Sequence, residues 1–321
     1  MHYGEVPPHI AEGLIELRRR IDEAKIPDSA LDVCLNVATW NIREFGRKSR
    51  LDASIYYIAE ILNQFDLIAL TELRDNLSDL KRVMDLLGPE WRVVFSDFIG
   101  DRGGNSERIA YLYDGRMVYF TGLAAEADPM RKKKDGEYVA EFSWWRAPYM
   151  ASFRAGNFDF VAVTAHMRWG TNFADRVNAL GEFGKWVHNR RRHKHAVDSD
   201  FVVLGDFNIP KRGDEAFNAL TGKGKKLLVP DDLLGVKGTN LSKKNTYDQI
   251  LHSPTHADRF SSSGGVLDFY QGDWKPLYPS ATHRPANDKA FTYQLSDHLP
   301  LWLQVKTDIM DHRLQMLSAT G

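Results

Sequence analysis

Between residues 91 and 165, five apolar runs follow one another with no helical pattern among them, and this stretch most constrains the fold. The runs are Trp91–Phe98, Arg108–Tyr113, Met117–Thr121, Tyr149–Arg154 and Asp159–Ala165. Short runs rich in aromatic and β-branched residues, separated by turn-forming residues, read as hairpin-linked strands. On either side the pattern changes. Asp32–Trp40 reads as a strand, and Leu67–Leu70 as a short apolar one. Ile55, Ile58, Ala59 and Leu62 mark a helix between them, opened by Ser49-x-x-Asp52 in capping-box order. Leu77, Leu80, Met84 and Leu87 mark the next helix, which Gly88-Pro89 stops. A long helix is expected over roughly 173–191. Strands follow at Phe201–Leu204, Thr246–Leu251 and Leu299–Val305, with a short helix near Glu215–Leu220. Strands outnumber helices and no strict βαβ series appears, so the pattern predicts mixed sheets with helices outside.

The chain of 321 residues shows no internal repeat and no low-complexity linker. The stretches Arg102–Ser106 and Ser261–Gly265 are too short to part domains. Residues 1–31 read as a helical N-terminal extension, with Ile10, Leu14, Leu17 and Ile21 on one face and Pro27 as terminator. Residues 32–306 read as one domain and 307–321 as a tail or short helix. Cys34 is the single cysteine, which excludes an intrachain disulfide and a cysteine-built zinc site. With no apolar run of membrane-spanning length and no signal-like N-terminus, a soluble, cytoplasmic protein is expected. The net charge of -1 gives no bulk attraction to nucleic acid. Local basic patches exist, however, at Arg131–Lys134, at Arg190–His195, and at Lys223, Lys225 and Lys226.

The polar residues that interrupt the apolar pattern fall at strand ends. Asn41 follows the first strand, Glu72 the second, and Glu107 precedes Arg108. His166 closes its strand, Asp206 and Asn208 close another, Asp248 interrupts a later one, and Asp297-His298 precedes the last. Side chains at strand ends can converge on one rim of a sheet. Glu72, Asp206 and Asp297 offer hard oxygen ligands and Asn41 and Asn208 neutral ones, a mixture that suits Mg²⁺ or Mn²⁺. Two histidines near carboxylates suit proton transfer and the stabilisation of a charged transition state. Taken singly, each fits a structural part, such as a turn or a cap. Together they favour water attack on a phosphate ester.

In order, the motifs are Ala-Thr-Trp-Asn41, Leu-Thr-Glu72-Leu-Arg74-Asp, Asn-Ser-Glu107-Arg108, Arg146-Ala-Pro148, Thr-Ala-His166, Leu-Gly-Asp206-Phe-Asn208, Tyr-Asp248-Gln-Ile and Ser-Asp297-His298-Leu-Pro. From about residue 33 to 306 this set resembles the endonuclease/exonuclease/phosphatase superfamily. The resemblance implies an α+β fold, a four-layer α/β/β/α sandwich with the active site at one rim. It implies Glu72 as the main metal ligand with Asn41 beside it and Asp297 assisting. It pairs His166 with Glu107 and His298 with Asp248, and gives Asp206 and Asn208 the attacking water and the phosphate.

Several details are similar to the pancreatic-type deoxyribonuclease branch: Leu-Arg74-Asp after Glu72, Asn105-Ser106-Glu107-Arg108, Arg146-x-Pro148 and Tyr247-Asp248-Gln249-Ile250. Gln249 departs from that branch's arginine, and its disulfides have no counterpart here. Arg74, Arg108, Arg146 and Arg168 are then the candidate substrate contacts, and Trp169 is a base contact or a core residue. Arg131–Lys134 reads as a hairpin tip that reaches along DNA. The expected activity is a Mg²⁺- or Mn²⁺-dependent, endonucleolytic hydrolysis of DNA. The alternatives are a small-molecule or lipid phosphoesterase of the same fold, an abasic-site endonuclease, and a non-enzymatic scaffold.

Overall fold

A computed structural model describes residues 1, 3–98, 105–170, 172–222, 227–260, 263–310, 314, 317 and 318. The lysine patch at 223–226, residues 102–104, Ser261 and most of the tail beyond 310 lie outside them. Helix α1 (Pro8–Glu23) leads to β1 (Cys34–Phe45), α2 (Asp52–Leu62), β2 (Leu67–Leu73), α3 (Ser78–Leu87) and β3 (Trp91–Phe95). A run of strands follows: β4 (Arg108–Asp114), β5 (Tyr119–Glu126), β6 (Arg131–Lys134), β7 (Glu137–Ala140), β8 (Tyr149–Ala155) and β9 (Phe158–His166). Then come α4 (Phe173–Arg191), β10 (Phe201–Asp206), α5 (Glu215–Thr221), β11 (Asp248–His252), β12 (Ser263–Val266), α6 (Asp288–Thr292) and β13 (Leu301–Lys306).

The strands form a six-stranded sheet in the order β12-β13-β1-β2-β4-β3 and a five-stranded sheet in the order β11-β10-β9-β8-β5. Each is mixed: β1 runs parallel to β2 and antiparallel to β13, and β10 parallel to β9 and antiparallel to β11. Alternation along β1 shows why two sheets must face each other. Leu35 and Val37 point into a core shared with Phe153, Phe160, Val202 and Leu204 of the other sheet. Ala38, Trp40 and Ile42 point the opposite way, onto Ile58 and Leu62 of α2 and Val83 of α3. The second sheet repeats the plan, with Val161, Val163 and Val203 packed under Leu180 and Phe183 of α4. A strand apolar on both faces requires cover on both, and the result is the four-layer α/β/β/α sandwich.

Helix α1 belongs to the outer layer of the first sheet. Ile10, Leu14, Leu17 and Ile21 are buried in the same cluster as Trp40 and Ile58. Its buried Arg20 donates to the carbonyls of Phe269, Tyr270 and Asp273 at 3.0, 2.8 and 2.8 Å. The helix ends at Glu23, before Pro27 can act.

Other expectations need correction. No Ser49–Asp52 capping box forms: the residue before α2 is Leu51, with no side-chain cap. The start of this helix is held from outside, by Arg50 N–H on Asp79 and Leu51 N–H on Gln294, at 3.0 and 2.8 Å. The Arg131–Lys134 run is one strand of a hairpin and not its tip. The tip is Asp135-Gly136, both with positive φ, as a two-residue turn demands. Ser263–Val266, in a stretch read only as too short to part domains, pairs with β13. At Gly264 a Cβ would lie 2.9 Å from Leu233 and 3.1 Å from Leu303, whereas Gly265 makes ordinary contact with Trp302.

Gly13 faces the Tyr57 hydroxyl and the Leu277 carbonyl so closely that a methyl group would overlap both. Gly13→Ala should therefore destabilise the protein by about 1–3 kcal/mol, the usual cost of overpacking, read as a lower urea midpoint. An unchanged midpoint would show that α1 docks less tightly than the contacts imply.

Candidate active site

Strand register assembles the first half of the site. Asp206, the last residue of β10, lies opposite His166 on β9 and opposite Asp248 on β11. The approach is close because Gly205, with φ 144°, lies against the Ala165 carbonyl, leaving no room for a side chain. The second half comes from the other sheet, at a bulge. The β1–β2 pairing shifts between Asn41↔Thr71 and Phe45↔Leu73. Glu72 and Glu44, at that shift, both adopt left-handed backbone, at φ 62° and 45°. Such strain in non-glycine residues persists only where surrounding contacts impose it, and it concentrates at functional sites.

The two halves meet through Asn41. Its Nδ2 donates to Glu72 Oε1 and to Asp206 Oδ2, both at 3.0 Å, so one amide ties the sheets together. Glu72 Oε2 accepts from the Glu44 backbone N–H at 2.8 Å. Each imidazole is anchored by a buried carboxylate: His166 Nδ1 to Glu107 and His298 Nδ1 to Asp248, each at 2.8 Å. Each then presents Nε2 to Asp206 Oδ2, at 3.7 and 3.8 Å. The His298 loop is fastened to β1. The Trp40 indole donates to the His298 carbonyl at 2.9 Å, and Ser296 donates to the Asn41 carbonyl while accepting from His298 N–H.

These pairs set the charges. Burial works to raise the Glu107 carboxyl, but the hydrogen bond and charge of His166, with Arg146 and Arg74, overcome it and hold the group at about 2. Burial and Arg146 work to lower His166, yet the bond to Glu107 and the charges of Glu107 and Asp206 leave it raised. Against burial, Asp248, Asp206 and Asp297 raise His298 to about 10. His298 is therefore a cation near neutral pH, and the shift of His166 favours its charged form.

The residues fit a divalent metal at one place. Asn41 Oδ1 is buried with no hydrogen-bond partner, beside the carboxylates of Glu72 and Asp206. That is a hard-oxygen donor set of the kind Mg²⁺ and Mn²⁺ prefer. Asp206, Asp248 and His298 also offer ligand atoms within 4.8 Å of one another. There His298 is committed to Asp248 and carries a proton, which opposes ligation.

The remaining predicted residues divide. Arg146 forms an ion pair with Glu107, with Nε at 2.7 Å from Oε2. Arg74 is buried against Glu44, the Asn105 carbonyl and Glu107. Arg108 lies on Asp97 and the Ser96 carbonyl, at 3.0 and 3.1 Å. Asn208, at φ 52°, returns its N–H to Asp206 Oδ1 at 2.9 Å and spends its side-chain N–H on the Met167 carbonyl. Asp297 gives its carboxylate to Arg43 at 3.2 Å. Arg168 stacks on Trp145, 3.6 Å from the ring centroid. Sequence reasoning missed Glu44, Tyr247 as a contact of the site, and Arg176, which donates to the Asn208 carbonyl at 2.7 Å. Ser296 stood within the Ser-Asp-His motif and was readable there.

The chain belongs to the Endonuclease/Exonuclease/phosphatase family, whose sequence profile matches residues 38–298. Members hydrolyse phosphoester bonds, and the family's enzymes use divalent metals. A deoxyribonuclease of Thioalkalivibrio sp. (strain K90mix) is 28% identical over 299 residues, 87% of this chain and 72% of that protein. Deoxyribonuclease-1 of Canis lupus familiaris is 24% identical over 235 residues, 68% of this chain and 76% of its own length. Among solved structures, a conserved protein of Enterococcus faecalis V583 superposes with a TM-score of 0.58 at 15% identity, covering 84% of this chain and 99% of that one. Among the described residues, no helix is long and apolar enough to cross a membrane.

Glu107 contributes stability above its ordinary value of 4.5, and the contribution is lost as pH falls toward about 2. Glu107→Gln should unfold at lower urea than the parent protein above pH 4.5, with the gap narrowing below it. A gap independent of pH would mean that the carboxylate charge is not what holds His166 and Arg146.

Proposed function

We propose that this protein is a Mg²⁺- or Mn²⁺-dependent nuclease that cuts DNA endonucleolytically with little sequence preference. One observation carries the reading. Two imidazoles, each fixed by a buried carboxylate, present Nε2 to the same Asp206 oxygen, His166 from the end of β9 and His298 from the loop before β13. A phosphodiester placed there meets the His298 cation and the His166 ring at its non-bridging oxygens and a carboxylate for its attacking water. The named similarity to two deoxyribonucleases supports DNA as the substrate class.

Glu72, Asn41 and Asp206 would hold the metal, with Asp297 assisting from the next loop. When bound it supplies positive charge that polarises the phosphate and acidifies water. Asp206 accepts the proton of the attacking water as the new P–O bond forms. The scissile P–O bond breaks, and the departing oxygen takes a proton from the His298 imidazolium. Asp248 keeps that ring oriented and charged; Glu107 does the same for His166. Asn208 holds Asp206 through its backbone N–H and so aims the water. Arg74 and Arg146 act through Glu107, and Arg108 and Arg168 flank the site as substrate contacts.

Plasmid nicking with Mg²⁺ or Mn²⁺, against EDTA, tests this directly. Asp206→Asn and His298→Ala should each lose at least ~10²-fold in rate, the range for removing a proton-transfer group. Glu72→Gln should shift half-maximal activity to higher metal concentration. No nicking with either metal would overturn the DNA reading in favour of a smaller phosphoester.

The β6–β7 hairpin is a candidate DNA-contacting arm, with every residue of both strands exposed. Arg131 pairs with Asp128 and Lys132 with Glu141, whereas Lys133 and Lys134 have no ion pair among the described residues. Replacing Lys133 and Lys134 by Ala should weaken DNA binding and reduce its log–log salt slope by up to about two. An unchanged slope would remove the arm from the interface.

A further inference from the structure

Beside the catalytic histidines lies a cleft of about 250 Å³, walled by Trp145, Arg146, His166, Arg168, Trp169 and Arg176. Its chemistry is unusual for a surface depression. Trp145 and Trp169 are each 50% exposed. Each carries a guanidinium over its ring: Arg168 over Trp145 at 3.6 Å and Arg176 over Trp169 at 4.2 Å. A cation held there fixes the indole and leaves its remaining surface open. The cleft also connects to the reacting centre on two sides. His166 is part of its wall. Tyr247 contacts the Trp169 ring edge-on at 5.4 Å and the His298 ring at 5.8 Å.

We propose that this cleft is a stacking subsite for one unpaired nucleobase next to the scissile phosphate. The substrate it selects is single-stranded or locally unpaired nucleic acid. This rests on the nuclease reading and adds strand preference to it. Two open indoles offer π-faces that any base can use, and the arginines supply the positive charge that the flanking phosphates require. A base inside a duplex keeps both faces stacked on its neighbours and cannot enter without unpairing. His166 in the wall places the cleft where a nucleic-acid strand held at Asp206 would run, which favours a base over a lipid chain.

Binding is tested with the full chain carrying Asp206→Asn, which keeps substrate intact. The probes are a single-stranded DNA oligonucleotide containing one 2-aminopurine, and its duplex. The single strand should bind more tightly than the duplex, and 2-aminopurine fluorescence should be quenched on stacking. Adding Trp145→Ala and Trp169→Ala should abolish the quench and weaken single-strand binding about 5- to 100-fold, the range for base–aromatic stacking. Trp145→Phe with Trp169→Phe should restore most of both. Tighter binding of the duplex, or affinity and quench that do not depend on the indoles, overturns the subsite. So does tryptophan-dependent binding to phosphatidylcholine vesicles. Cleavage of single-stranded circular DNA with Mg²⁺ or Mn²⁺ by the chain with Asp206 intact separates the two readings: cleavage with no indole dependence discards the subsite alone, and no metal-dependent cleavage by the parent protein discards both.

Discussion

Asp206 is a carboxylate only 2% exposed to solvent, and the rest of the site is arranged to make that tenable. A buried charge needs hydrogen bonds and opposite charge around it or it neutralises. Asn41 supplies a donor from the other sheet, the Asn208 backbone supplies one from the following turn, and two imidazole rings, both shifted toward their charged form, face it across 3.7 and 3.8 Å. Each ring needs its own anionic partner, so Glu107 and Asp248 are buried as well. Glu107 in turn requires Arg146 and Arg74. One withdrawn carboxylate thus dictates a chain of charges that reaches from β10 to the β1–β2 bulge.

That bulge is the reverse of the close packing elsewhere. Along most of β1 and β2 the residues lie in register and alternate between two apolar faces. At Glu72 and Glu44 the ladder breaks and the backbone turns left-handed. A sheet optimised for stability alone would continue its hydrogen bonds there. Here the interruption brings the Glu72 carboxylate alongside the Asn41 amide, whose oxygen stays buried and unpartnered. The strain and the orphaned acceptor occur at the one position where the residues fit a metal ion.

Much of this was legible in the sequence because strand-end polar residues stand out against apolar runs. Asn41, His166, Asp206 and Asp248 were found that way, and the apolar face of α1 followed from its spacing. Other features were hidden for a physical reason. Register between distant strands is set by long-range packing, so nothing local reveals that His166, Asp206 and Asp248 are direct neighbours across the ladder. The bulge at Glu72 arises from pairing with β1, some thirty residues earlier. Ser263–Val266 has glycines that argue against a strand, and only its pairing with β13 makes it one. The start of α2 depends on Gln294 and Asp79, side chains no local capping rule would consult. Arg74 and Arg146 were read as substrate contacts, and their burial against Glu107 was not legible.

The order of the strands in space also governs when the chemistry comes into being. β1 is closed on one side by β13, from Cys34↔Lys306 to Thr39↔Leu301. Among the described strands, the first in the chain is therefore completed by the last. Until that pairing positions the loop before Leu301, the Trp40 indole has no His298 carbonyl to hold, and Asp248 has no imidazole to orient. The candidate site thus depends on the residues that lead into β13: without His298, Asp206 has one imidazole facing it and not two.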